Sequence, residues 1–220
     1  MKLLIGFDLD GVILDSDHLT EVSWLTEAFM ETLREFGIPE TEENVQALHI
    51  VNLRKNIQVF CQRFGVSDPD RLLARREENY VNNKLAALEE GEITLFPDVA
   101  ALEELAEDYP LGIASNSPQV VVDRVVDSFS LGRLFRVCIG RGSSLKEIRN
   151  AKPSPHLLER LKAALGATRG CYVGDQPEDL QAACAASLFP IRINRDGGGG
   201  DIATLYELKR FLVERKLAIE

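Results

Sequence analysis

Short apolar runs that break off in small or polar residues recur along this chain, and they constrain its fold more than any other feature. Residues 3–7, 111–114 and 170–173 are the strongest, with 137–139 and 191–193 as weaker candidates. Between them, apolar residues recur at helical spacing over 99–108, 119–129, 155–165 and 178–186. Strands alternating with helices predict an α/β protein, a Rossmann-like, mostly parallel sheet covered on both faces. In such sheets the ligand crevice lies outside the carboxyl ends of the strands.

Residues 16–92 are patterned differently. Apolar residues fall at helical spacing in "EVSWLTEAFMETLREFG", "NVQALHIVNLRKNIQVFCQRFG" and "PDRLLARREENYVNNKLAALEEG", and no strong strand signal interrupts them. Gly37-Ile38-Pro39 and Ser67-Asp68-Pro69 separate the helices. The expected organisation is a catalytic core of residues 1–15 and 93–220, with an all-helical cap, 16–92, inserted after the first strand. Glycines 197–200 lack the spacing of a phosphate loop and are expected to form a flexible turn.

The formal net charge of −10 argues against nucleic acid as a partner, because phosphate contacts need a basic face. No apolar run is long enough to span a membrane, and the first residues lack a signal-peptide pattern. Cys61, Cys138, Cys171 and Cys184 show neither paired nor zinc-type spacing, so free thiols and a cytoplasmic location are expected.

Candidate chemistry gathers where the strong strands end. Asp8 and Asp10 close the first, two residues apart, and positions i and i+2 of a strand share a side. Ser115 and Asn116 follow the second, Asp175 the third, and Lys152 precedes a helix. Ser117-Pro118, Ser154-Pro155 and Gln176-Pro177 each fit a cap followed by proline at the first helical position. Helix N-termini of this kind suit an anion. Taken singly, these residues have plainer explanations: turns for Asp10, caps for Ser115 and Asp175, a solvated side chain for Lys152. Their common placement at strand or helix ends favours one shared crevice.

Together they resemble the haloacid dehalogenase-like phosphohydrolases. "FDLDGVILDS" is similar to that family's first motif, "GIASNS" to its second, Lys152 in "NAKPSPHLLERL" to its third, and "YVGDQPEDLQAA" to its acidic fourth. "LFPDVAALEELA" resembles the stretch that re-enters the core after a helical cap. The likeness is nearest to the phosphoglycolate phosphatase and β-phosphoglucomutase-like branch. Two positions depart from the pattern, Gln176 where Ser is frequent and Asp98 where Gly is common.

The resemblance implies a phosphatase acting on a small phosphorylated metabolite through an aspartyl-phosphate. Asp8 would be the nucleophile and Asp10 the general acid and base, protonated by its crowded setting. Mg²⁺ would be held by Asp8, the backbone carbonyl of Asp10 and Asp175, with Asp179 behind them. Ser115 and the N–H of Asn116 would hold the phosphoryl oxygens, and Lys152 would neutralise charge and orient Asp8. The cap would close over the crevice as a lid, hinged near 14–17 and 91–96.

His18, His49, Asn52, Arg54 and Lys55 are candidates for the far end of the substrate, Arg54 first among them because an arginine meets a carboxylate or second phosphate well. The plainer alternative is a solvated face for Arg54 and Lys55, and packing for Trp24, Phe29 and Phe60. A phosphotransferase of the mutase type would use the same core residues and is the alternative function. A phospho-accepting signalling module is disfavoured by the second acid, Asp10, and by the inserted helices. A dehalogenase would need neither Asp10 nor Mg²⁺. A monomer and a homodimer are both compatible with the sequence.

Overall fold

The computed structural model describes residues 3–16 and 23–217. The first strand, β1 (Leu4–Phe7), is fully buried and is followed at once by a turn and a two-residue strand, β2 (Leu14–Asp15). Helices α1 (Trp24–Glu35), α2 (Glu42–Leu48), α3 (Ile50–Phe64) and α4 (Pro69–Glu89) come next. The chain returns through β3 (Thr94–Leu95), which pairs antiparallel with β2, Leu14 opposite Leu95. The two connections expected as hinges are therefore joined to each other in a short ribbon. Asp17 and His18 lie outside the described residues.

From there strands and helices alternate: α5 (Leu102–Asp108), β4 (Leu111–Pro118), α6 (Gln119–Ser128), β5 (Phe135–Arg141), α7 (His156–Ala164), β6 (Gly170–Gly174), α8 (Pro177–Ala185), β7 (Phe189–Arg192) and α9 (Leu208–Glu214). The sheet is five-stranded in the order β5-β4-β1-β6-β7, and every pairing in it is parallel. Ile5 and Phe7 join an apolar cluster with Val121, Val125 and Leu208 on one face. Leu4 joins the cluster of Leu157, Leu161 and Ala182 on the other. Burying each such side chain contributes roughly 1.5–3 kcal/mol, so the alternation along β1 fixes it between two helical layers. Its register sets Phe7 beside both Ile113 and Val173, which brings Asp8, Ser115 and Asp175 to one sheet edge.

The helical insertion differs from expectation in one place. The apolar spacing of 44–65 predicts a single helix, but the chain breaks at His49 (φ −59°, ψ 135°), separating α2 from α3. Asn52 Nδ2 (2.8 Å) and His49 N–H (3.3 Å) both donate to the carbonyl of Gln46 at the break. His49 packs edge-on against Phe29, ring centroids 5.0 Å apart. α1 and α4 start as their sequences dictate. Ser23 Oγ accepts from Thr26 N–H, and Asp68 accepts from Arg71 N–H before Pro69. Among the described residues no helix is long and apolar enough to cross a membrane.

The proline-led starts behave unequally. Pro177 is the first residue of α8, but α6 and α7 begin one residue after Pro118 and Pro155. Ser117 therefore does not cap α6, and its hydroxyl is used elsewhere.

Candidate active site

Asp8 follows β1 directly, and its N–H still donates to Val173 O (2.9 Å). The chain then turns tightly: the N–H groups of Ile13 and Leu14 reach Leu9 O at 2.9 and 2.8 Å. Asp8 and Asp10 thus do not share a side through strand alternation, as expected; β1 ends at Phe7 and the turn brings Asp10 round. Gly11 permits this turn. Its φ is +75°, and a Cβ there would lie 2.6 Å from Asp175 Oδ2.

Asp8, Asp175 and Asp179 each offer a carboxylate oxygen within 4.8 Å of the others. Asp179 is committed to protein partners. Its Oδ1 is 2.5 Å from Lys152 Nζ, and its Oδ2 accepts from Gln176 N–H at 3.1 Å. Lys152, 1 % exposed, also lies 2.7 Å from Asp8 Oδ1 and donates to Tyr172 Oη at 2.9 Å. Tyr172 in turn donates to Ala114 O. The ammonium is fixed from three sides, and although burial opposes its charge, Asp179 and Asp8 raise its pKa well above the ordinary lysine value.

The acids themselves want a cation. Burial, then the charge of Asp179, pushes the Asp8 carboxyl well up, against the pull of Lys152. Burial and Asp179 likewise carry Asp175 up to about 6. Asp175 Oδ1 is buried without a hydrogen bond, and the approach of Lys152 to Asp8 Oδ1 is an ion pair outside hydrogen-bond geometry. Buried acceptors left open beside crowded carboxylates suit a hard divalent ion with oxygen ligands. Gln176, the departure from the family pattern, donates its Nε2 to Asp175 Oδ2 (2.5 Å) and aims that carboxylate.

Asp10 sits among donors rather than acids. Lys84 Nζ and Ser16 Oγ reach Oδ1 at 2.5 and 3.0 Å, and Ser117 Oγ reaches Oδ2 at 2.9 Å. Burial pushes its pKa up, but Lys84, Ser117 and Ser16 outweigh it and hold the group below the ordinary carboxylate range. The expected protonation by crowded carboxylates is corrected accordingly. Lys84, on α4, is itself 1 % exposed and packs over the rings of Trp24 and Tyr80.

Ser115 Oγ accepts from Ser117 N–H (3.0 Å), which leaves its hydroxyl proton to donate. The Asn116 side-chain amide grips the Lys152 backbone at both ends: Oδ1 accepts from Lys152 N–H at 2.7 Å, and Nδ2 donates to Lys152 O at 3.2 Å. Asp98, the other departure, is buried and accepts from Arg195 Nη1 (2.8 Å) and from Leu205 N–H (2.8 Å). Arg195 also donates to Gly11 O and Val12 O, so Asp98 braces the turn that carries Asp10.

A cavity of about 480 Å³ lies between sheet edge and helices, lined by Asp8, Asp10, Ser115, Lys152 and Asp175 below and by His49, Arg76 and Tyr80 above. The structure does not bring Arg54 to its wall. Arg54 Nη1 donates instead to the carbonyls of Arg149 and Ala151, at 2.9 and 3.0 Å, tying α3 to the core. Lys55 is exposed.

The model of the family described as haloacid dehalogenase-like hydrolase matches residues 5–192. The chain belongs to that family. Phosphoglycolate phosphatase of Salmonella typhi is 33% identical, over 92% of this chain and 85% of its own. Pyrophosphatase PpaX of Listeria innocua is 28% identical, over 80% of this chain and 76% of its own. Among solved structures, CbbY from Rhodobacter sphaeroides in complex with phosphate superposes with a TM-score of 0.66 at 22% identity, covering 94% of this chain and 96% of that one. That likeness carries the fold. The chain presents its acids at the carboxyl edge of the sheet, beneath inserted helices.

Proposed function

We propose that this hydrolase is a divalent-metal-dependent phosphatase that cleaves a small phosphate monoester through a phosphorylated Asp8. The relatives named phosphoglycolate phosphatase and pyrophosphatase support phosphoryl chemistry. The observation that carries the assignment is the group of buried Asp8 and Lys152 with half-buried Asp175, whose buried Oδ1 lacks any donor. Asp8, Asp175 and the backbone carbonyl of Asp10 would hold Mg²⁺, which when bound supplies positive charge to the phosphoryl oxygens.

Asp8 attacks phosphorus; its O–P bond forms as the ester P–O bond breaks, and Asp10, ionised among its donors, relays the proton of the monoanionic ester to the leaving oxygen. Water then attacks phosphorus, Asp10 takes a proton from it, and the Asp8 O–P bond breaks to free inorganic phosphate and the Asp8 carboxylate. Ser115 Oγ and the N–H of Asn116 donate to the phosphoryl oxygens, and Lys152 balances the charge gathering on them. Lys84, Ser16 and Ser117 stabilise Asp10 as the base for the second half. Helices α1–α4 act as a lid that keeps bulk water out, spanning 16–92 with the ribbon of β2 and β3 at its root.

Phosphate release from a panel of sugar phosphates, phosphoglycolate, nucleotides and pyrophosphate tests this. Activity is expected with Mg²⁺ and none in Asp8→Asn, a loss of about 10⁴-fold or more. Strong residual turnover in Asp8→Asn, or isomerised sugar phosphate in place of free phosphate from β-glucose 1-phosphate, would overturn it.

A further inference from the structure

The roof of the cavity holds a buried charge cluster that the chemistry above does not use. Arg76 and Glu77 are neighbours on α4, and Arg141 is the last residue of β5; they are 2 %, 5 % and 1 % exposed. Arg141 takes both oxygens of Glu77, Nη1 to Oε2 at 2.8 Å and Nη2 to Oε1 at 3.0 Å. Its Nε donates to Asn116 O. Arg76 shares what is left: Nη1 donates to Glu77 Oε1 (2.8 Å) and Nε to Leu48 O (3.1 Å).

Two guanidiniums and one carboxylate leave a surplus of one positive charge on side chains almost wholly withdrawn from solvent. Such a charge is costly unless a counter-ion meets it. Burial pulls the Arg76 pKa down; Glu77 opposes that and Arg141 adds to it. Arg76 Nη2 has no protein acceptor among the described residues, while the guanidinium is held between the rings of Phe29 and Tyr80, 4.7 and 4.8 Å from their centroids. Arg76 and Asp8 line the same cavity. The arrangement is a rigid cation with Nη2 free, facing a site whose floor is acidic and takes the phosphoryl group. A free Nη2 and one surplus charge match a monoanion.

We infer that Arg76 is the residue that determines specificity, by binding a carboxylate at the end of the substrate remote from the phosphoryl group. The preferred substrates are then small phosphate monoesters bearing a carboxylate. This rests on the phosphatase assignment for the reaction but not for the binding. Arg54, the arginine expected from sequence, is spent on core carbonyls.

Calorimetry with a matched pair of non-hydrolysable ligands, 3-phosphonopropionate and propylphosphonate, tests it in the Mg²⁺-loaded full chain. The carboxylated member should bind about 10- to 100-fold more tightly to wild type, the range of one charge-assisted hydrogen bond. Arg76→Gln should reduce that advantage below about threefold and leave propylphosphonate within about twofold of wild type. Equal binding of the two ligands by wild type overturns the inference, as does an equal loss of both in Arg76→Gln. If that variant fails to fold, Arg76→Lys replaces it, and the wild-type pair decides by itself. Should wild type bind the acid selectively yet hydrolyse neither phosphoglycolate nor ethyl phosphate, the phosphatase assignment fails and the role of Arg76 stands.

Discussion

The floor and the roof of the cavity are built on different principles. On the floor, Asp8, Ser115 and Asp175 come from three different strands, and their proximity follows from parallel register: Phe7 lies beside Ile113 and Val173, and each chain continues by a residue or two. On the roof, Arg76, Glu77, Tyr80 and Lys84 come from one helix, spaced so that Arg76, Tyr80 and Lys84 share a face. A sheet edge gathers distant parts of the sequence at one point; a helix face distributes neighbouring residues along a line. The floor is therefore suited to one reacting atom, and the roof to touching several parts of the site at once.

Removing the metal should separate floor from roof most sharply. Chelation is expected to abolish phosphate release, with Mg²⁺ restoring it, while the fold persists; full activity after thorough chelation would break the division. Folded and metal-free, Asp175 titrates at about 6, against 3.8 for the free group. Between those values the folded protein holds a proton that the unfolded chain has given up, so this stability is present below 3.8 and lost as pH rises through about 6. Mg²⁺ should accordingly raise Tm more at pH 8 than at pH 5, read by scanning calorimetry.

Next in size is Lys84→Met. If the roof takes part in the chemistry through Asp10, kcat should fall on the order of 100-fold with KM little changed. A fall in KM and kcat together, or none, would confine Lys84 to packing. Glu77→Gln leaves Arg76 and Arg141 without their buried counter-ion, which costs about 3–5 kcal/mol. Thermal unfolding should shift down on the order of 10 °C for a chain of this size. A shift of only a degree or two would show that this pair does not seat α4. Smallest is Arg54→Ala, which removes two bonds to core carbonyls at a partly exposed site. Tm should drop about 1–3 °C with KM within about twofold, and a large KM change for acidic substrates would return Arg54 to the role first expected of it.

The floor was far more legible in sequence than the roof, and the reason is physical. A carboxylate directly after a run of buried apolar residues is anomalous, so Asp8 and Asp175 stand out, and the motif spacing locates Lys152 and Ser115. Tyr172, which fixes Lys152, reads as one more apolar strand residue, because only the fold puts Ala114 O within its reach. On a helix rich in both signs of charge, as α4 is, charged residues are ordinary, and nothing local distinguishes the arginine that points inward from the one that points out. A signal was nevertheless present in α4. The stripe that begins with Leu72 and Leu73 continues through Arg76, Tyr80 and Lys84, so charges occupy positions that packing would give to apolar side chains. The break at His49 was hidden for the opposite reason, since apolar spacing runs on across it and the bonds from His49 N–H and Asn52 to Gln46 O leave no mark in that spacing.

That α4 carries both Lys84 and Glu77 has a mechanical consequence. Each reaches a different part of the core, Asp10 in one case and Arg141, at the end of β5, in the other. Any swing that lifts the helix must sever two ion pairs in the same movement, and departure of one end alone would strand charges at the other. The helix behaves as an interlock: Asp10 meets Lys84 only when Glu77 has also met Arg141, so a guest that props α4 open at either end disturbs both.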